Sequence, residues 1–405
     1  MSLGELVYKV QRAGQRYLPQ RKLNIYPAGG GSPGGRALVS YLPLPLVGDP
    51  ALFRGHSNVW ESSEIVRIFN RLGYAVDLIA WDDTSFVPAA PYDVVFDIHR
   101  NLARYSSKKT KTIFHMTGSN PEFSNRAEQV RLNDLRQRKG VPISARRVVA
   151  ACDLPVLEEN MARADLITLI GNDVTAATFP ENIQPKIRQV IATGAWLPTA
   201  LENSPLNDRP SEFLWFNGGG AVHKGLDLVL EVFAKHPELT LHIVGPYLKE
   251  RDFVSAYRTE LFKTPNIISH GFIFPADRRF LEITSRVRAF INPSCSEGIS
   301  TAVITCMQSG MVPIISKNCG ISLPVQGGIL LEDCSVEMIE KGVLSIVSEG
   351  HEAWRSMAEK ARRFARENYS RNVFSRLMEK AIVSVLSRKS LLESGLLNVA
   401  GSSLD

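Results

Sequence analysis

An α/β chain of two doubly wound halves, followed by a helical C-terminal tail, is predicted by three observations. Short apolar segments alternate with helical ones from Ala37 onward. The alternation breaks at 197–212 (LPTALENSPLNDRPSE), which holds three prolines and few apolar anchors, and then begins again. Glycine-bearing turns in the second half leave a strand and enter a helix. Repeating βα units of this kind give a parallel sheet covered on both faces. At 405 residues the chain exceeds one comfortable core and fits two or three domains.

The elements follow in order. Residues 1–36 form a basic tail and Gly/Pro linker, with six basic residues against Glu5. Leu3, Val7, Tyr8, Val10, Tyr17 and Leu18 lie among the charges, which fits an interfacial helix on anionic lipid or a solvated tail. Residues 37–205 read as a first Rossmann-like domain, with strands at Ala37–Leu44, Ala75–Ala80, Val94–Phe96, Thr112–Met116, Leu166–Ile170 and Gln189–Ile191. Val59, Ile65, Val66, Ile68, Phe69 and Leu72 recur at helical spacing within Ser57–Leu72. Residues 206–370 read as a second such domain, with strands at Phe213–Phe216, Leu239–Val244, Asn266–Ser269, Ala289–Ile291, Val312–Ile315 and Ile329–Leu331. Helices are expected at Leu226–Phe233, Phe253–Phe262, Thr301–Gln308 and Val336–Val347, then as a charged helical stretch from about His351 to Ser387. Residues 371–405 are the final helix and tail. A ligand cleft is expected between the two domains, at the carboxyl ends of the strands.

Composition narrows the function. With 44% hydrophobic and 22% charged residues, the chain is an ordinary globular protein and wholesale disorder is excluded. Its net charge of +6 is unevenly placed, because residues 100–150 alone hold twelve Lys/Arg against Glu122, Glu128 and Asp134. That basicity suits an anionic membrane face or a polyanionic acceptor, or simply a solvated surface. The basic stretches lack interleaved aromatics and any nucleic-acid-binding module, so nucleic acid is not the expected partner. Five scattered cysteines without a CxxC pair argue for reduced thiols and against a disulfide framework or zinc site. No uncharged apolar run is long enough to span a bilayer, and no signal peptide is evident. A cytoplasmic protein, peripheral at the inner membrane face, is expected.

Two segments carry chemistry. The first is Asn217-Gly218-Gly219-Gly220-Ala221-Val222-His223-Lys224-Gly225, where a glycine turn lets backbone N–H groups approach a phosphate. It matches neither the dinucleotide fingerprint nor the P-loop. A tight βα turn is the plain alternative, but an ammonium at Lys224 can pair with a diphosphate. The second is Asn292-Pro293-Ser294-Cys295-Ser296-Glu297-Gly298-Ile299-Ser300-Thr301-Ala302, running on to Gly310-Met311-Val312-Pro313. The helix start near Ser300 and Thr301 favours an anion, while Glu297 suits sugar hydroxyls as an acceptor. The alternative is that Ser296 or Glu297 only caps the helix.

Taken together, these segments resemble the family-4 (group 1) retaining glycosyltransferases of GT-B fold. In that family a glycine turn with Lys-Gly follows the first strand of the C-terminal domain, and a Pro-Ser-x-x-Glu-Gly stretch opens a later helix. The resemblance is specific over about 213–332 and looser over 37–200. It implies two Rossmann-like domains facing a central cleft, and a sugar moved from a nucleotide diphosphate donor to an acceptor hydroxyl. Retention of anomeric configuration and a part in cell-surface polysaccharide synthesis are further implications. By resemblance, His115 in Phe114-His115-Met116 matches the family histidine near the transferred sugar, the alternative being a core or strand-end histidine satisfied by backbone. Lys224 and the start of the helix would hold the diphosphate without a metal or other cofactor, and Glu297 would orient the donor sugar. The base would rest near Phe272–Phe274, after the third strand of the second domain, unless those residues belong to the core. Arg54-Gly55-His56-Ser57-Asn58, after the first strand, lies at the same rim and would touch acceptor or diphosphate, the alternative being that Ser57 only caps the following helix. His99 and Arg100, after the third strand, would contact the acceptor. Two positions depart from the family: Gly219 stands where an arginine is usual, and Thr305 stands eight residues after Glu297 where a second glutamate holds the ribose. A lost charged contact is worth roughly 1–3 kcal/mol. The sequence reads as a hexosyltransferase-type enzyme with a nucleotide-sugar donor and a glycan or lipid-linked acceptor. Two rival readings stay open: a catalytically degenerate GT-B protein that binds nucleotide sugar or glycan as a partner subunit, and a sugar-nucleotide epimerase.

Overall fold

The structure is a computed structural model and describes residues 20–28, 32–43, 57–195, 206 and 211–393, with side chains to residue 386. The first sheet comprises β1 (Arg21–Ile25), β2 (Gly35–Tyr41), β3 (Tyr74–Ala80), β4 (Val94–Asp97), β5 (Lys111–Met116), β6 (Leu166–Ile170) and β7 (Ile187–Val190), in the order β1-β3-β2-β4-β5-β6-β7. The second comprises β8 (Glu212–Phe216), β9 (Thr240–Val244), β10 (Ile267–Gly271), β11 (Ala289–Asn292), β12 (Val312–Ser316) and β13 (Ile329–Leu331), in the order β10-β9-β8-β11-β12-β13. All pairs are parallel except β1 with β3. Strands such as β4, β6 and β12 are buried along their whole length. This is why they read as continuous apolar runs: a parallel sheet has both faces covered.

Strand β1 corrects the expected tail. Residues 21–25 pair antiparallel with β3 and close the edge of the first sheet. The Arg21 Nε donates to Asp83 at 2.6 Å, and Arg36 reaches Asp77 at 2.9 Å with its guanidinium over the Tyr92 ring. Two of the cations expected to face a partner therefore hold the sheet together. The rest of the expected interfacial segment, residues 1–19, lies outside the described residues, as do Leu44 at the end of the first predicted strand and most of the 197–212 break.

In chain order the helices of the first domain are α1 (Ser57–Arg71), α2 (Leu102–Tyr105), α3 (Pro121–Lys139), α4 (Leu154–Arg163) and α5 (Asp173–Ala176). Those that follow are α6 (Leu226–Phe233), α7 (Arg251–Ala256), α8 (Arg258–Lys263), α9 (Arg278–Arg286), α10 (Thr301–Gln308), α11 (Val336–Ser348), α12 (His351–Asn368) and α13 (Arg371–Glu393). The single helix expected over 253–262 is broken into α7 and α8, and the long C-terminal helix into α12 and α13. Helix α13 crosses back to the first domain. Phe374, Met378 and Ile382 are fully buried in a core that also holds Ile65, Phe69 and Ile113. Phe374 meets the Trp60 ring edge-on at 5.6 Å, and Arg71 pairs with Glu379 at 2.8 Å. One apolar core thus runs from the first sheet through α13 to Ile304 and Met307 of α10.

Helix α3 is the element the sequence reading passed over. Asn120 caps it by accepting from Glu122 N and Phe123 N, Pro121 occupies its first position, and Gly140 ends it at φ 70°. Its buried side includes Glu128 and Arg131 beside Leu132 and Leu135, so its apolar periodicity is weak. The reason lies across the domain boundary. Arg138 pairs with Asp227 at 2.6 Å and with Glu231, Lys139 with Glu260 at 2.6 Å, and Arg146 with Asp252. The Lys139 ammonium also lies 4.6 Å from the centre of the Tyr257 ring. These cations of the basic 100–150 stretch are met by carboxylates of the second domain. The charge that suggested a membrane or polyanion is, in this part, an interdomain clamp. No described helix is long and apolar enough to cross a membrane.

Candidate functional site

In each sheet the strand order reverses at one crevice, between β2 and β4 and between β8 and β11. A parallel sheet opens there at the carboxyl ends of its strands, which is where ligands sit. Both chemistry-bearing segments of the second domain fall at its crevice: the glycine turn leaves β8, and Pro293–Ser300 leaves β11. Backbone contacts fix one to the other. Cys295 N donates to His223 O at 3.0 Å, and His223 Nε2 donates to Ser296 O at 2.7 Å. Trp215 Nε1 holds Lys224 O at 3.2 Å.

The result is a direct ion pair between Lys224 Nζ and Glu297 Oε1, with side chains only 8% and 11% exposed. Burial pushes the Glu297 carboxyl up, but Lys224, His223 and Arg147 outweigh it and hold the group below the usual carboxylate value. The carboxylate is therefore charged at neutral pH, as an acceptor for hydroxyls must be. Behind it, the buried Glu128 of α3 accepts from Arg146 N at 2.9 Å and lies 3.9 Å from His223 Nδ1.

The other expected residues divide. Gly218 and Gly219 leave open space in front of the turn, since a Cβ on either would meet no atom within 4 Å. The N–H groups of Gly220 and Ala221, by contrast, are already taken: both donate to the buried Glu250 carboxylate, at 2.7 and 3.0 Å. The open part of the turn is thus Gly218–Gly219. Nothing local in the sequence singles out Glu250, because its partners lie about thirty residues away.

Thr305 corrects the expected ribose contact. It is 1% exposed, accepts from Ala195 N at 2.9 Å and donates to Thr301 O at 2.7 Å. Its hydroxyl joins α10 to the segment leaving the first domain. Ser300 is likewise engaged, its N–H donating to Cys319 O at 3.0 Å, whereas Thr301 is partly exposed at the helix start. Ile299 is buried, and Phe272 stands 47% exposed with its ring edge-on to Phe274 at 4.7 Å.

His115 does not face open cleft. It is fully buried between the Phe96 and Tyr41 rings, with Nδ1 2.9 Å from Thr168 Oγ1. Burial pushes its pKa down to about 4, so the imidazole is neutral. The unfolded chain binds a proton near 6.5 and the folded chain only near 4, so stability falls as pH drops through that window. The contribution reaches about 3 kcal/mol at full burial. Urea unfolding at pH 4.5, 5.5 and 6.5 should give a flatter pH slope for His115→Gln than for the unaltered chain. His99 and Arg100 are also committed locally, to the Trp81 ring and to Asp153 at 3.0 Å. Of the expected rim loop, Arg54, Gly55 and His56 lie outside the described residues.

The first domain closes directly on the Glu297 turn. Ser119 Oγ donates to Glu297 O at 2.5 Å and Thr175 Oγ1 to Gly298 O at 3.1 Å. A Cβ on Gly298 would lie 2.5 Å from Ile170 O and 2.6 Å from Thr117 O, closer than any real contact. Gly298→Ala should therefore push the domains apart and lower stability by about 1–3 kcal/mol; a thermal melt reads the change.

Comparison with known proteins fits this geometry. Residues 201–367 match the model of the family described as glycosyl transferases group 1. That stretch, a little over two fifths of the chain, is similar to the group 1 glycosyl transferases. Solved structures with the same fold include sucrose-phosphate synthase from Thermosynechococcus elongatus, at 14% identity and TM-score 0.61, covering 87% of this chain and 99% of that one. HepE from Anabaena, solved with UDP and glucose, aligns at 11% identity and TM-score 0.54, covering 87% and 100%. WaaG, a glycosyltransferase involved in lipopolysaccharide biosynthesis, aligns at 14% identity and TM-score 0.53, covering 86% and 99%. Comparison with curated proteins gives no match. The matched stretch spans both segments of the crevice, from the glycine turn to the helix ending at Gln308, and the described residues have the GT-B fold.

Proposed function

We propose that this protein transfers a hexosyl group from a nucleotide diphosphate sugar to a hydroxyl of a glycan or lipid-linked acceptor, with retention at the anomeric carbon. The observation that carries the reading is the buried Lys224–Glu297 pair at the crevice of the stretch similar to the group 1 glycosyl transferases. Transfer breaks the bond between the anomeric carbon and the diphosphate, and negative charge builds on the departing oxygen. An ammonium already positioned there lowers the barrier electrostatically. When the diphosphate takes Lys224, the Glu297 carboxylate is released to accept hydroxyl hydrogens of the donor sugar. The open face of Gly218 and Gly219 leaves room for the backbone to approach the phosphates, and the exposed Phe272 offers a surface for the base. The HepE structure with UDP and glucose supports a donor of this class on this fold.

A second reading is favoured by one group of contacts. Glu250 occupies the Gly220 and Ala221 N–H groups, and the Thr305 hydroxyl is spent on Ala195. A domain with fewer free groups for the donor could serve as a nucleotide-sugar-binding subunit. Thermal shift and donor hydrolysis with UDP-, GDP- and ADP-sugars separate the two. Binding with turnover supports transfer, binding without turnover in the presence of acceptor supports the binding subunit, and release of an isomerised sugar would indicate an epimerase. A melting temperature unmoved by every donor contradicts both the transferase and the binding subunit.

A further inference from the structure

We propose a second ligand site, for an anionic sugar, in the cavity between α3 and the carboxyl ends of β12 and β13. The cavity has a volume of about 740 Å³, within the range of sites that hold small ligands at domain boundaries. Neither Lys224 nor Glu297 lines it, although Cys295 of the turn leaving β11 does, so it adjoins the donor crevice without including its ion pair. Its position is favourable in the same way, because it lies outside the carboxyl ends of parallel strands. Its opposite wall is α3, supplied by the other domain.

Chemistry identifies the ligand. Arg131 lines the cavity at 7% exposure; its Nη2 donates to Pro293 O at 3.0 Å, while its Nη1 is buried with no hydrogen-bond partner. Its charge is met in part by the buried Asp227 carboxyl, but a buried guanidinium nitrogen without a hydrogen bond is costly, and an anionic acceptor relieves it. Arg126 and Lys317 line the same cavity, and neither forms an ion pair among the described residues. Four carboxylates line the cavity as well: Asp134, Glu332, Asp333 and Glu337. A bare polyanion would be repelled by them. A sugar bearing one carboxylate or phosphate satisfies both sets, its anionic group meeting the cations and its hydroxyls donating to the carboxylates. Phe123 adds an apolar flank for the C–H face of the ring.

Titration calorimetry on the full chain without nucleotide tests the proposal independently of the donor crevice. The probes are glucuronate, glucose 6-phosphate, neutral glucose and inorganic phosphate. At least one of the two anionic sugars should bind about tenfold or more tighter than both glucose and phosphate, and which one binds distinguishes a carboxylated from a phosphorylated ligand. Arg126→Ala and Lys317→Ala remove exposed side chains and should each weaken that binding about fivefold or more; Arg131→Lys should do so with the melting temperature read in parallel. Neither anionic sugar binding tighter than glucose, neither binding tighter than phosphate, or affinity unchanged in both rim variants would each overturn the proposal.

Discussion

Lys224→Ala should reduce sugar transfer by about 100- to 1,000-fold, the loss typical of removing one preorganised group from a developing negative charge. The same change strips Glu297 of its partner in a site where both side chains are nearly enclosed. Breaking a buried pair by deleting one member costs about 3–5 kcal/mol, more than the pair contributes over a neutral replacement. Lys224→Met combined with Glu297→Gln should therefore recover much of the stability lost in Lys224→Ala while remaining inactive. Denaturant unfolding beside a transfer assay separates the two effects. The pH dependence gives a further sign. Because the folded Glu297 carboxyl sits below its unfolded value, its contribution is complete above about pH 4.5 and lost as pH falls through the lower folded value. Glu297→Gln should remove that acid-side loss.

The second large effect is expected at the interdomain clamp. Asp227 has a fully buried side chain, and Arg138, 27% exposed, is its direct partner. Arg138→Ala leaves that carboxylate short of its closest cation and should cost about 2–4 kcal/mol. Arg138→Ala with Asp227→Asn should cost less than the sum of the two, since residues in one network couple. Lys139 with Glu260 and Arg146 with Asp252 are more exposed and contribute about 0.2–1 kcal/mol each. Small-angle scattering should show a larger radius of gyration for Arg138→Ala, increasing further with salt, if the clamp holds the domains closed.

Why some features were legible in the sequence and others were not follows from where their partners lie. The strands of both sheets could be placed because parallel strands buried on two faces leave unbroken apolar runs. The two segments at the second crevice could be placed because glycine turns and helix starts are local features. Helix α3 was missed because Glu128 and Arg131 sit on its buried side, where a search for apolar periodicity finds nothing. Strand β1 was missed because Arg21 and Lys22 read as charge, although Arg21 is neutralised by Asp83, more than sixty residues away. Thr305 was misassigned for a similar reason. Its spacing from Glu297 pointed to the donor, and only the fold shows that Ala195 N occupies it. Local chemistry locates loops, whereas long-range pairing decides which of their groups remain free.

The claim that Lys224 and Glu297 form a nucleotide-sugar site is tested most directly by calorimetric titration of nucleoside diphosphates and their sugars into the unaltered chain and into Lys224→Ala. Saturable binding to the unaltered chain, weakened tenfold or more in Lys224→Ala with the fold intact by circular dichroism, is the expected result. Absence of binding by every nucleotide, or binding of equal strength in the two proteins, would contradict it.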